Sequence, residues 1–201
     1  MIFVINLAVF FFSVMIHEIA HGWIAYKLGD DTAKFAGRLT LNPLAHIDLI
    51  GTIILPLFLL ISGSHFIFGW AKPVPINFLN LNNPRRDIIW VGISGPLSNI
   101  IFAVILSFLL KLLYLPLIAM YILKTAILIN LVLAVFNMIP IPPLDGSRVL
   151  MGILGQKASM QFALIEPFGI FIIFALLFMG LFQKVILPFV VVFARILGIT
   201  F

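Results

Sequence analysis

Residues 2–26 read IFVINLAVFFFSVMIHEIAHGWIAY, an apolar run of membrane length that carries His17-Glu18-Ile19-Ala20-His21 in its second half. Residues 2–16 contain no charge. An ionisable side chain at bilayer depth costs about 2.5–3.5 kcal/mol on insertion scales, so three together call first for a functional explanation. A helix brings residues i and i+4 onto one face, so His17 and His21 can grip one Zn2+ between them. Glu18 lies about 100° further round, where it can act on water at the metal without ligating it. The plain alternative is a helix-packing histidine pair with a snorkelling glutamate, but an uncompensated carboxylate in lipid is unfavourable.

The rest of the chain agrees with a membrane setting. Of its 201 residues, 63% are hydrophobic and 9% charged, against about 25% charged in soluble domains. Several apolar runs approach or exceed the roughly 20 residues that span a bilayer. The fold expected is an all-α polytopic membrane protein with about five to six transmembrane helices. Cysteine is absent, which excludes disulfides and thiolate metal sites. Any zinc must therefore take histidine and carboxylate ligands. The net charge of +5 is spread over loops, which fits the positive-inside bias and needs no nucleic-acid partner. The first apolar run has no basic n-region and no small-residue cleavage site, so it does not read as a removed signal peptide.

Residues 88–110, 117–138, 165–182 and 185–201 are further apolar segments. Residues 32–50 (TAKFAGRLTLNPLAHIDLI) are too polar to span, and their Thr, Gly, Asn and Pro content predicts short membrane-associated β-strands and turns. Such a strand would offer an edge to an extended peptide. Residues 51–61 hold Pro56 and precede Ser62-Gly63-Ser64. If residues 51–68 crossed the membrane, the basic loops around Lys34 and around Arg85 would lie on opposite sides. The positive-inside bias therefore favours a re-entrant segment there, with Lys27 cytoplasmic.

A catalytic zinc takes three protein ligands and leaves one position for water. Asp30 and Asp31 follow the first helix too closely to fold back. Asp87 sits beside Arg85 and Arg86 and reads as a solvated loop charge. Glu166 precedes Pro167 and reads as a helix start. Asp145 lies in Pro142-Pro143-Leu144-Asp145-Gly146, where prolines break the helix. Broken backbone at membrane depth is tolerated where it is buried in protein or lines a cavity, which favours Asp145 as the third ligand. His46 is its rival, and its bland reading is a histidine bonded to backbone or to Asp48. His65 reads as an exposed loop residue.

These elements together resemble the site-2 proteases, zinc intramembrane metalloproteases of the M50 type. His17-Glu18-Ile19-Ala20-His21-Gly22 resembles the HExxH helix of that family. Gly95-Pro96-Leu97-Ser98-Asn99 resembles its GxxxN stretch, and the run from Asn137 to Gly146 (NMIPIPPLDG) its NxxPxPxxDG element. The resemblance covers residues 10–155 and implies a catalytic core over 1–155, followed by C-terminal helices over 156–201. It implies one Zn2+ per chain on His17, His21 and Asp145, with Glu18 as base and Asn137 helping to polarise the substrate carbonyl. Co2+ or Fe2+ would suit the same ligands. Asn137 also reads as a helix-end cap. Asn99 is placed near substrate, though a small-residue face serves helix packing equally well. No PDZ-like or nucleotide-sensing domain is expected, so the chain resembles the short members, with an extra stretch around residues 51–75. The implied partners are the lipid bilayer and a membrane-protein substrate with a transmembrane segment. The implied location is a prokaryotic plasma membrane, with the site toward the cytoplasm. A zinc transporter would show several polar residues along a path, whereas one compact cluster is visible. An inactive scaffold would not need Glu18.

Overall fold

A computed structural model describes residues 2–63 and 70–199; His65 lies outside them. The first helix, α1 (Ile2–Lys27), contains the HExxH run. It ends in a Schellman-type turn: Gly29 takes φ +109°, and the Asp30 and Gly29 N–H groups reach back to Ala25 O and Tyr26 O. A single turn, α2 (Thr32–Phe35), follows. The apolar stretch Leu49–Ile61 is helical, its second half being α3 (Leu55–Ile61). Helix α4 (Pro84–Leu112) opens with proline at its first position. Asp87, in the first turn of α4, accepts from the Asn83 N–H at 2.8 Å and so satisfies a backbone donor at the helix start. Asp87 is therefore a buried cap, not the solvated loop charge expected. After α5 (Leu117–Asn137) come the proline turn, α6 (Asp145–Ile153), α7 (Gln156–Ala163), α8 (Gly169–Phe178) and α9 (Leu187–Ile196).

Among the described residues, four helical stretches are long and apolar enough to cross a membrane: Val4–Lys27, Pro84–Leu112, Leu117–Asn137 and Gln156–Phe178. This corrects the expected five to six. Gly180, at φ +90°, divides the C-terminal apolar region, and the helical residues beyond it form only a short piece. Leu49–Ile61 is likewise too short, since its rise is about 20 Å against a hydrocarbon core of about 30 Å.

The second correction concerns residues 32–50. Among the described residues there is no β-strand; this stretch folds as α2, a 3₁₀ turn at Pro43–His46 and the start of the Leu49–Ile54 helix. Its turn-forming side chains supply the backbone partners that a ladder would have supplied. Asn42 Oδ1 accepts from Leu44 N, Asp48 Oδ1 from Gly51 N and Asp30 Oδ1 from Thr32 N. With no strand there is no edge for a peptide, and that expectation falls with it.

Helix α4 is the hub and packs against α1, α5 and α6. A buried cluster of Ala103, Leu106, Ile127, Leu131, Ile186 and Val190 joins α4 and α5 to α9 and the turn before it. The outer faces carry exposed large apolar residues such as Phe108, Ile105, Phe171 and Phe174. With the four long apolar helices, this makes the chain an integral membrane protein.

Candidate metal centre

His17 and His21 sit one turn apart on the face of α1 that meets α4, and both are buried. Asp145 is the first residue of α6, where the positive end of the helix dipole favours a carboxylate. Residues 138–144 form the turn that delivers it, and the turn is too tight for side chains at two glycines. A Cβ on Gly146 would lie 2.3 Å from Met138 O, and one on Gly169 would lie 1.8 Å from Pro142 O. Two parts of the sequence 124 residues or more apart thus converge. His17 Nε2 lies 3.0 Å and His21 Nε2 3.2 Å from Asp145 Oδ2. The two imidazole nitrogens are 3.0 Å apart.

The surroundings fix which ring nitrogen carries hydrogen. His21 Nδ1 is 2.7 Å from Val91 O, a backbone carbonyl that can only accept, so Nδ1 donates. Ser94 Oγ, which donates to the same carbonyl, lies 3.2 Å from that nitrogen. His17 Nδ1 is 2.6 Å from Asn99 Oδ1 and donates to it. Both Nε2 atoms therefore present lone pairs, and both face a carboxylate oxygen. Such a trio cannot satisfy itself by hydrogen bonding. Asp145 Oδ2 is buried without a hydrogen-bond partner.

This donor set fits a divalent metal. An ion about 2.0–2.1 Å from each atom in tetrahedral geometry sets its ligands about 3.4 Å apart, close to the separations seen. The cradle is also shaped for one. A Cβ on Gly95 would lie 2.3 Å from His21 Nε2 and 2.6 Å from His17 Nε2, so only glycine leaves the ligand atoms room. Among the described residues, these three form the only group of histidine and acidic side chains able to hold a metal.

The remaining candidates sit elsewhere. His46 is fully buried, with Nε2 2.9 Å from Thr40 O. Asp30 is a hub for Thr32, Asn77 and Asn80, and Glu166 pairs with Arg148 at 2.5 Å. Asn137 ends α5 with its amide nitrogen on Leu133 O. Asn99 is fully buried, and both its amide hydrogens are taken by Ser13 O and Asn130 Oδ1.

Glu18 is partly buried beside the cluster, and its Oε2 accepts from the Val74 N–H at 2.8 Å. Val74 belongs to an irregular strap, residues 70–77, laid across α1. Its side chain fills the space that Gly22 leaves open. Arg38 anchors the strap through Nη2 to Lys72 O at 2.6 Å. Burial holds the Arg38 guanidinium below its usual range, with the Glu18 charge acting in the opposite sense. Sequence reasoning quoted Gly95 only as the start of the GxxxN stretch, and it missed Val74, Ser13 and Asn130. The last had a legible signal, an amide in the middle of an apolar span.

A membrane-embedded helical bundle with a buried two-histidine, one-carboxylate cluster and an adjoining glutamate defines a class, the metal-dependent hydrolases of the bilayer. The chain belongs to peptidase family M50. The model of that family matches residues 114–180. The Bacillus subtilis protein named "Putative zinc metalloprotease YwhC" is 43% identical over 177 residues, covering 83% of this chain and 76% of its own. "Putative zinc metalloprotease Rip2" of Mycolicibacterium smegmatis is 28% identical over 178 residues, covering 88% of this chain and 67% of its own. "Zinc metalloprotease MJ0392" of Methanocaldococcus jannaschii is 26% identical over 147 residues, which are 73% of this chain but 33% of that one. No solved structure matches the chain. The protein is a zinc metalloprotease.

Proposed function

We propose that the protein is an intramembrane endopeptidase that hydrolyses peptide bonds in or near transmembrane segments of other membrane proteins. The observation that carries this reading is the position of the cluster. His17, His21 and Glu18 lie within the membrane-length helix Val4–Lys27, with His17 about 15 Å of helix from Lys27.

In this reading His17 Nε2, His21 Nε2 and Asp145 Oδ2 hold one zinc per chain. When bound, zinc supplies Lewis-acid chemistry, acidifying water and polarising a carbonyl. Glu18 takes a proton from the attacking water as its oxygen bonds to the scissile carbonyl carbon. It then returns that proton to the amine nitrogen as the C–N bond breaks. The Val74 N–H holds Oε2, which leaves Oε1 to carry the proton. Asn137 is the side chain proposed to donate to the developing oxyanion. Asn99 orients His17 from behind. The positive-inside bias, applied to Lys27 and the basic loops, supports a site toward the cytoplasmic face of a prokaryotic plasma membrane.

The test is cleavage of a single-span model substrate by the protein reconstituted in lipid vesicles. Fragments cut in or near the span are expected from the parent. Glu18→Gln should lower the rate by about 10²–10⁴-fold with its zinc retained. A zinc-loaded parent that cleaves soluble peptides but no membrane span would refute the intramembrane reading. Wild-type cleavage by Glu18→Gln would remove the glutamate from the chemistry.

A further inference from the structure

A chain of buried polar side chains runs away from the metal cluster into the bundle, and its direction can be deduced. Asn130, on α5, is fully buried, as are Ser13 and Asn99. Its Nδ2 lies 2.8 Å from Ala126 O and 2.9 Å from Ser13 Oγ. Ala126 O is a backbone carbonyl and can only accept, so the amide nitrogen of Asn130 must face it. The amide oxygen therefore faces Asn99, whose Nδ2 donates to it at 2.7 Å. A second carbonyl, Ser13 O, accepts from the same Asn99 nitrogen at 3.2 Å. Asn99 then has only its oxygen to turn toward His17, and that oxygen holds the hydrogen on Nδ1. Ser13 Oγ closes the far end by donating to Val9 O at 2.9 Å. Flipping Asn130 would set like dipoles against each other along the whole path, in a low-dielectric interior where an unpaired polar group is costly.

We propose that Asn130 is a positioning residue for the metal: through Asn99 it keeps the His17 Nε2 lone pair directed at the ion. It touches neither substrate nor metal. The inference rests on His17 being a zinc ligand. The bland reading is that Asn130 merely fastens α5 to α1 and α4, and the two readings predict different results.

The test is zinc affinity of the full chain in detergent, read by competition with a chromophoric chelator, in a double-mutant cycle. Outer partners of ligating histidines typically contribute 10–100-fold to affinity, so Asn99→Leu should fall in that range. Asn130→Leu, which keeps the number and branching of the side-chain heavy atoms and suits an apolar helix, should weaken zinc about tenfold. Asn130→Ala should do the same, and it carries the test if the leucine variant does not fold. Because Asn130 acts through Asn99, the Asn99→Leu/Asn130→Leu pair should bind no more weakly than Asn99→Leu alone. A purely structural role would lower the thermal stability of the metal-free protein and leave affinity untouched. Parental affinity in Asn130→Leu, or losses that multiply in the pair, would overturn the proposal and leave the zinc site standing. A folded parent that binds no zinc would overturn both.

Discussion

Gly95→Ala adds one methyl group directly against two of the candidate ligand side chains. The new Cβ would lie 2.3 Å from His21 Nε2 and 2.6 Å from His17 Cε1 and Nε2. Side-chain carbons essentially never approach other heavy atoms within 3.0 Å. His21 Nε2 must therefore retreat by at least about 0.7 Å, well beyond the roughly 0.2 Å that metal–ligand distances tolerate. The rings cannot yield freely, because Val91 O and Asn99 Oδ1 hold their other nitrogens. Disturbing the partners that orient metal ligands costs about 10–100-fold in affinity, and here a ligand itself is displaced, so zinc affinity should fall about a hundredfold, near 2.7 kcal/mol. Alanine is a better helix former than glycine, so the fold should survive. Gly92→Ala, one turn earlier, is the graded control. Its Cβ would meet Asp145 O and Val149 Cγ2 at 3.1 Å, which a few tenths of an ångström relieve. It should weaken zinc by less than tenfold. The assay is chelator competition in detergent, with circular dichroism to confirm helix content. Parental zinc affinity in Gly95→Ala would refute the geometry of the centre, since the methyl cannot coexist with three ligand atoms placed as they are.

Three further outcomes are expected. Val74→Pro removes the N–H that holds Glu18 Oε2, so turnover should fall by about tenfold or more with zinc content unchanged; equal turnover would show that the strap does not position the base. Burial opposes the charge on Asp30, but hydrogen bonds from Thr32, Asn77 and Asn80 outweigh it and hold the pKa below the usual 3.8. A lowered folded pKa gives stability that is complete above the unfolded value and lost as pH falls below about 4. Asp30→Asn should therefore unfold at lower temperature at pH 7 yet lose less between about pH 4 and pH 2 than the parent, as thermal scans would show. Gly146→Ala, whose Cβ would meet Met138 O at 2.3 Å, should shift the start of α6 and weaken zinc about as much as Gly95→Ala; a retained site would mean that the turn reseats Asp145 by another route.

The centre was more legible in the sequence than the fold around it. Histidines at i and i+4 need only a helix to share a face, and the apolar run of residues 2–26 supplies one. Asp145 could be reached by elimination, because so few acids exist and only one lies where prolines force a break between apolar segments. The polar stretch 32–50 was misread because the residues that flank strands also cap helical turns. Asn42 and Asp48 could have served either purpose, and whether a partner strand lies alongside is not a local property.

The sequence by itself determined the membrane class, the two-histidine face with its adjoining glutamate, and the absence of thiolate ligands. These follow from composition and helical periodicity, which act over a few residues. Only the tertiary structure decided that the apolar C-terminal region yields one long span and a short remainder, that Gly95 must lack a side chain, and that Val74 holds Glu18. It also decided that Asn99 bonds His17 Nδ1 and that Asn130 bonds Asn99. The contacts that involve Gly95, Val74, Asn99 and Asn130 join residues 31 to 117 positions apart in the chain. Such contacts are set by how α4 packs against α1, α5 and α6, which no local pattern encodes.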